Sequence, residues 1–83
     1  MATSTINTPI KSTTVTGRTG VYHGELVSTI PSTNTVIGVN YVEDINSLII
    51  PYTVNGYWAF AFRAMTDFSK LNNKNISMTV YYI

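Results

Sequence analysis

The chain has 83 residues, of which 45 % are hydrophobic and 11 % charged, with no cysteine and a formal net charge of +1. Ordinary hydrophobicity with almost no net charge excludes a disordered chain, and the lack of cysteine excludes a disulfide scaffold and a thiolate metal site. The five basic residues, Lys11, Arg18, Arg63, Lys70 and Lys74, are scattered in sequence and offset by four acids, so phosphate neutralisation gives no reason to expect a nucleic-acid partner.

Residues 1–9 read as a flexible arm ending at Pro9, followed by a single domain over residues 10–83. A first strand is predicted over residues 10–15, closed by the turn-like Thr16-Gly17-Arg18-Thr19-Gly20. A second, with weaker alternation, covers residues 21–30 and stops at Pro31-Ser32-Thr33-Asn34. A third covers residues 35–42, with Ile37, Val39 and Tyr41 on one face, and Glu43-Asp44-Ile45-Asn46 forms a turn. Residues 47–54 and 57–65 pair as a hairpin, because Asn55-Gly56 tolerates the positive φ of a two-residue type I′ turn. Residues 66–73 hold at most a helical turn capped by Thr66 or Asp67. The last strand, residues 76–82, alternates apolar Ile76, Met78, Val80 and Tyr82 with Ser77, Thr79 and Tyr81, the two-residue period of a half-buried strand. About six strands joined by short turns make an all-β fold, a small antiparallel β-sandwich or barrel.

The turn sets the hairpin's register and its faces. One face carries Trp58, Phe60 and Phe62 opposite Thr53, Pro51 and Ile49, and is expected to form the core. The other carries Tyr57, Ala59 and Ala61 opposite Val54, Tyr52 and Ile50. Both are apolar, whereas a surface hairpin normally keeps one face polar. A domain near this size buries only about 60 % of its unfolded surface, so the second cover is expected to come from another subunit, with Ile50, Tyr52, Tyr57, Ala59 and Ala61 at the interface. Pro51 interrupts the uncharged, β-prone Leu48-Ile49-Ile50 and guards it against edge pairing.

Catalytic constellations are nearly absent. His23 and Glu25, two residues apart on the predicted second strand, share a face, but two ligands are too few for a structural zinc site, and they read as a solvated strand surface. Glu43-Asp44 matches no calcium loop, and Gly17-Arg18-Thr19-Gly20 lacks the lysine and helix of a phosphate loop. Asn75-Ile76-Ser77 fits the N-glycosylation triplet by chance. No cofactor and no enzymatic activity are expected. The longest apolar run, residues 57–62, is far short of the roughly 20 residues that span a bilayer, so no membrane insertion is expected. Residues 1–5 lack the pattern of a signal peptide. What remains is recognition: stacking aromatics with neutral hydrogen-bond groups, for which Tyr52, Asn55, Tyr57, Asp67, Asn72 and Asn73 are the candidates.

The stretch Ser47-Leu48-Ile49-Ile50-Pro51-Tyr52-Thr53-Val54-Asn55-Gly56-Tyr57-Trp58-Ala59-Phe60, a polar loop and the closing Asn75-Ile76-Ser77-Met78-Thr79-Val80-Tyr81-Tyr82-Ile83 resemble the small all-β C-terminal modules of phage and prophage tail-fibre or receptor-binding proteins. The resemblance covers the last forty residues or so and extends to the composition, rich in Thr, Ser and Asn and poor in charge. It implies a homotrimeric knob in the virion tail that binds bacterial surface glycan or protein without catalysis, either an excised tip or a small separate gene product. It transfers no site residues. The alternative is a free-standing phage or bacterial protein, cytoplasmic in the host, that binds a host protein as an inhibitor or adaptor through a sheet edge.

Overall fold

The computed structural model describes residues 9–41 and 47–83. Among them are six strands: β1 (Lys11–Arg18), β2 (Glu25–Pro31), β3 (Val36–Tyr41), β4 (Ser47–Val54), β5 (Tyr57–Ala64) and β6 (Asn75–Tyr82). They form two antiparallel three-stranded sheets, ordered β1-β6-β3 and β2-β5-β4. This is the small β-sandwich expected. The arm (residues 1–8), Val42 and the turn at residues 43–46 lie outside the described residues; Pro9 is exposed.

Each sheet's middle strand supplies most of the core. Phe60 and Phe62 of β5 and Ile76, Met78 and Val80 of β6 are buried, joined by Val15 and Ile30 from the edge strands, with Leu26, Val36, Val39, Ile49, Trp58, Leu71 and Tyr82 packed around them. The two phenylalanines are fully buried, and each contributes on the order of 2 kcal/mol from the apolar surface removed from water. The expected hairpin forms in the expected register, Val54 opposite Tyr57 through Ile49 opposite Phe62. Asn55 and Gly56 have φ of 51° and 84°, the two positive values a type I′ turn needs.

Expectations for β1, β2 and β3 are corrected. β1 runs on to Arg18, because Thr16, Gly17 and Arg18 pair with Ser77, Ile76 and Asn75. β2 starts at Glu25, not residue 21: Gly24 turns the chain at φ 58°, and the Gly20 N–H donates to the Glu25 carbonyl. His23 is therefore exposed in a turn and shares no strand face with Glu25. In β3 a bulge between Val36 and Gly38 breaks the register with β6, so Val36 and Val39 reach the core while Ile37 is left exposed. Residues 66–73 hold no more than the expected single turn, with the Phe68 N–H donating to the Ala64 carbonyl (2.9 Å).

A second bulge, after Val27 in β2, leaves the ladder with β5 broken until Pro31 meets Tyr57. Ser28 bridges the gap. Its buried hydroxyl donates to the Trp58 carbonyl (2.7 Å) and accepts from the Ile30 N–H (3.1 Å), which satisfies two buried backbone groups that the bulge would otherwise strand.

Candidate functional site

Alternation along the strands gives each sheet an outer surface, and the two surfaces differ in chemistry. On β1-β6-β3 the outward rows are Ser12, Tyr81 and Gly38; Thr14, Thr79 and Asn40; Thr16 and Ser77. Apart from Ile37, expelled at the bulge and 49 % exposed, and the Tyr81 ring, this face is made of hydroxyl and amide groups suited to a solvated surface.

On β2-β5-β4 the corresponding rows are Val27, Ala59 and Tyr52; Glu25, Ala61 and Ile50; Tyr57 and Val54; Arg63 and Leu48. Apart from Glu25 and Arg63 it is apolar. Val27 is 54 % exposed and Tyr57 46 %, and Leu48, Ile50 and Tyr52 are also open to solvent. Ala59 is fully buried although it lies on this outer side, because the larger Val27 and Tyr52 flank it in its row. None of the six described strands covers this face.

The sheet edges differ as well. The Phe62 N–H donates to the Gly24 carbonyl on the β2 side, so the alternate amides of Tyr57, Ala59 and Ala61 turn toward β4. Their partners are then Val54, Tyr52 and Ile50, and residues 49, 51 and 53 face the open edge of β4. Pro51 sits in the middle of that edge and offers no donor, as expected of a protected edge. On β1 the Thr19 N–H donates to the Lys74 carbonyl (2.9 Å), which by the same alternation turns the backbone of Ser12, Thr14 and Thr16 away from β6. That edge has no proline. It borders an open cleft of about 140 Å³ between the sheets, lined by Thr14, Val15, Thr16, Val27, Ser28 and Thr29.

The predicted ligand residues separate into two groups. Tyr52, Asn55 and Tyr57 lie together at the hairpin tip. Asp67, Asn72 and Asn73 lie in the β5–β6 connection, beyond the other end of β5, a strand of eight residues and so about 23 Å long. The second group serves its own loop. Asp67 accepts from the Ser69 N–H (3.1 Å), and hydrogen bonds from Ser69 hold its carboxyl below the usual carboxylate range. Asn73, at φ 58°, donates its N–H to the Thr19 carbonyl, and the Asn72 Oδ1 is buried. In the first group, burial and then the nearby Glu25 carboxylate push the Tyr52 phenol above its ordinary pKa.

No protein-family model, curated protein or solved structure matches the chain. The surface must speak for itself. No group of three or more metal-ligating side chains occurs among the described residues, and no described helix is long and apolar enough to cross a membrane.

Sequence reading missed two parts of the exposed chemistry. Val27 extends the apolar face beyond the hairpin, which could be seen only once β2 was paired with β5; Leu48 prolongs it within the hairpin, opposite Arg63. Tyr22 and Phe68 project from loops at the end opposite the hairpin tip, and no periodicity marks a residue in a loop.

Proposed function

We propose that the chain is a non-catalytic recognition and assembly module of the kind found in phage and prophage tail fibres, which acts in the virion as a homotrimer and binds bacterial surface glycan. The observation that carries the assembly part is the contrast between the two outer faces. One sheet is finished with Thr, Ser and Asn, while the other leaves Val27, Leu48, Ile50, Tyr52 and Tyr57 exposed in one continuous patch. A large exposed apolar patch marks an interaction surface, and in a chain this short a second copy is the economical cover. Three copies follow the fibre resemblance.

The glycan part rests on Asn55 with the rims of Tyr57 and Tyr52 at the hairpin tip, where an amide and two aromatic edges meet at the border of the proposed interface. The reading without catalysis is supported by the single histidine, His23, which is exposed in a turn and shares no strand face with Glu25.

Sedimentation at micromolar concentration tests the assembly. A trimer that falls apart on Ile50→Asp is the expected result, and a stable monomer removes the reading. A trimer that retains no glycan on a glycan array leaves a purely structural role.

A second reading has its own observation. The proline-free β1 edge, with the backbone of Ser12, Thr14 and Thr16 turned outward, suits strand addition by a host protein. A monomer that co-purifies with one host protein, and loses it on Thr14→Pro, supports that reading over the first.

A further inference from the structure

The fold gathers at one end what the sequence scatters. Arg18 closes β1, Arg63 lies near the end of β5, and Lys70 and Lys74 flank the connection to β6, so four of the five basic residues share the end opposite the hairpin tip. Hydrogen bonds fuse the two loops there into one surface. Thr19 bonds Leu71, Asn73 and Lys74, and the Arg18 Nε donates to the Asn73 carbonyl (3.3 Å).

Four large apolar side chains project from the same loops. Tyr22 is 77 % exposed, the most open of the large hydrophobic residues described, and Val21, Met65 and Phe68 are each more than half exposed. Phe68 is held in place at a cost. Its φ is 60°, a left-handed conformation that bulky residues avoid and Asn accepts readily. The Asp67–Ser69 turn fixes it on one side, and the Arg63 guanidinium lies 5.0 Å from its ring centroid on the other. A strained, solvent-facing aromatic points to use in binding rather than in packing.

We propose that this end docks peripherally on an anionic lipid bilayer. Val21, Tyr22, Met65 and Phe68 would enter the headgroup layer, where aromatic rings are at home, and Arg18, Arg63, Lys70 and Lys74 would face the anionic phosphates. The aliphatic Val21 and Met65 favour a bilayer over a sugar, which offers them nothing to bury against. Asp67 is the acid these two loops carry, and its carboxylate is engaged with Ser69. Glu25, at the start of β2, keeps Oε2 buried. Glu43 and Asp44 lie outside the described residues. The surface meets the apolar sheet face at Arg63, which pairs with Leu48 in β4 and turns its guanidinium to the Phe68 ring.

The test is co-sedimentation of the intact chain with vesicles of phosphatidylcholine, with and without phosphatidylglycerol. Binding is expected only with phosphatidylglycerol, and it should weaken as salt rises. Phe68→Asn removes the ring while relieving the backbone strain, so the fold survives; it should lower the partition coefficient about tenfold, and Lys70→Gln with Lys74→Gln should lower it about thirtyfold. Ile50→Ser, on the sheet face, should leave it unchanged. No binding to anionic vesicles overturns the proposal, as does binding that Phe68→Asn leaves intact. Binding of heparin with no binding of vesicles also overturns it, and assigns the surface to an anionic polysaccharide.

Discussion

The Thr19 hydroxyl donates to the Leu71 carbonyl at 2.6 Å and accepts from the Lys74 N–H at 2.8 Å. Thr19 is almost fully buried, so this one hydroxyl satisfies two backbone groups that water does not replace. It ties the end of β1 to the connection between β5 and β6, and thus one sheet to the other. Thr19→Val keeps the shape and strands both groups. With about 1–3 kcal/mol for each buried group left unpaired, a loss of about 2 to 6 kcal/mol is expected in urea denaturation. Thr19→Ser keeps the hydroxyl and should cost less than about 1.5 kcal/mol.

Trp58 fastens the opposite end. Its indole N–H donates to the Asn34 carbonyl at 2.8 Å, while the Ser32 N–H donates to Gly56 and the Thr35 and Ile83 backbones bond each other. The β2–β3 turn, the hairpin turn and the last residue therefore meet around one side chain. Trp58→Phe retains most of the apolar contact and frees a carbonyl that sits near enough to solvent to be hydrated. The expected loss is about 1 kcal/mol, the net worth of one ordinary hydrogen bond, with amide exchange speeding up at Thr35 and Ile83 first.

The contrast between these two ends shows what could be read from the sequence. The register of the hairpin was legible because its information is local: a type I′ dipeptide fixes the register, and the register fixes the faces. Its second strand ends at Ala64, one residue short of the expected 65. β6 was legible because it lies at the centre of its sheet, where strict alternation has a buried side to answer to. The limits of β1 and β2 depend on partners far away in sequence, Ser77 to Asn75 for one and Ala61 for the other, and periodicity carries no trace of either. The bulge that expels Ile37 follows the same rule, since it exists only in the register with β6. The candidate residues at the hairpin tip inherited the hairpin's legibility. The cluster of Tyr22, Phe68 and four basic residues did not, because it is assembled by Thr19.

Tyr52 and Glu25 lie diagonally across β5, in adjacent rows of the exposed apolar sheet face, and this makes Tyr52 a reporter of that face. Its phenol is raised by burial first and by the Glu25 carboxylate second. A phenol whose folded-state pKa is raised favours folding while it stays protonated. That contribution is complete below about pH 10, the ordinary value for tyrosine, and is lost as pH rises through the folded-state value. Glu25→Gln removes the smaller cause, so the Tyr52 titration followed by NMR should move down but remain above the ordinary value. A full return would mean that the carboxylate, not burial, is the main cause. If the face is sealed in an oligomer, dilution to monomer should lower the Tyr52 value as well.

Gly56 and Gly24 share the left-handed conformation, at φ 84° and 58°, and differ in their surroundings. A Cβ on Gly56 meets nothing within 4 Å, whereas one on Gly24 comes within 3.1 to 3.2 Å of the Leu71 backbone N, O and C. Gly56→Ala therefore carries only the conformational cost, about 1–2 kcal/mol. Gly24→Ala carries that cost and a collision with Leu71 backbone that Thr19 and Phe62 both hold, for about 2 to 5 kcal/mol in all. Denaturation of the two variants side by side should show Gly24→Ala as the more damaging. Leu71 has two ties, its carbonyl accepting from the Thr19 hydroxyl and its N–H donating to the Phe62 carbonyl (3.1 Å), and Thr19→Val releases only the first. Gly24→Ala combined with Thr19→Val should therefore cost somewhat less than the sum of the two, and an additive pair would mean that the Phe62 bond alone keeps Leu71 in place.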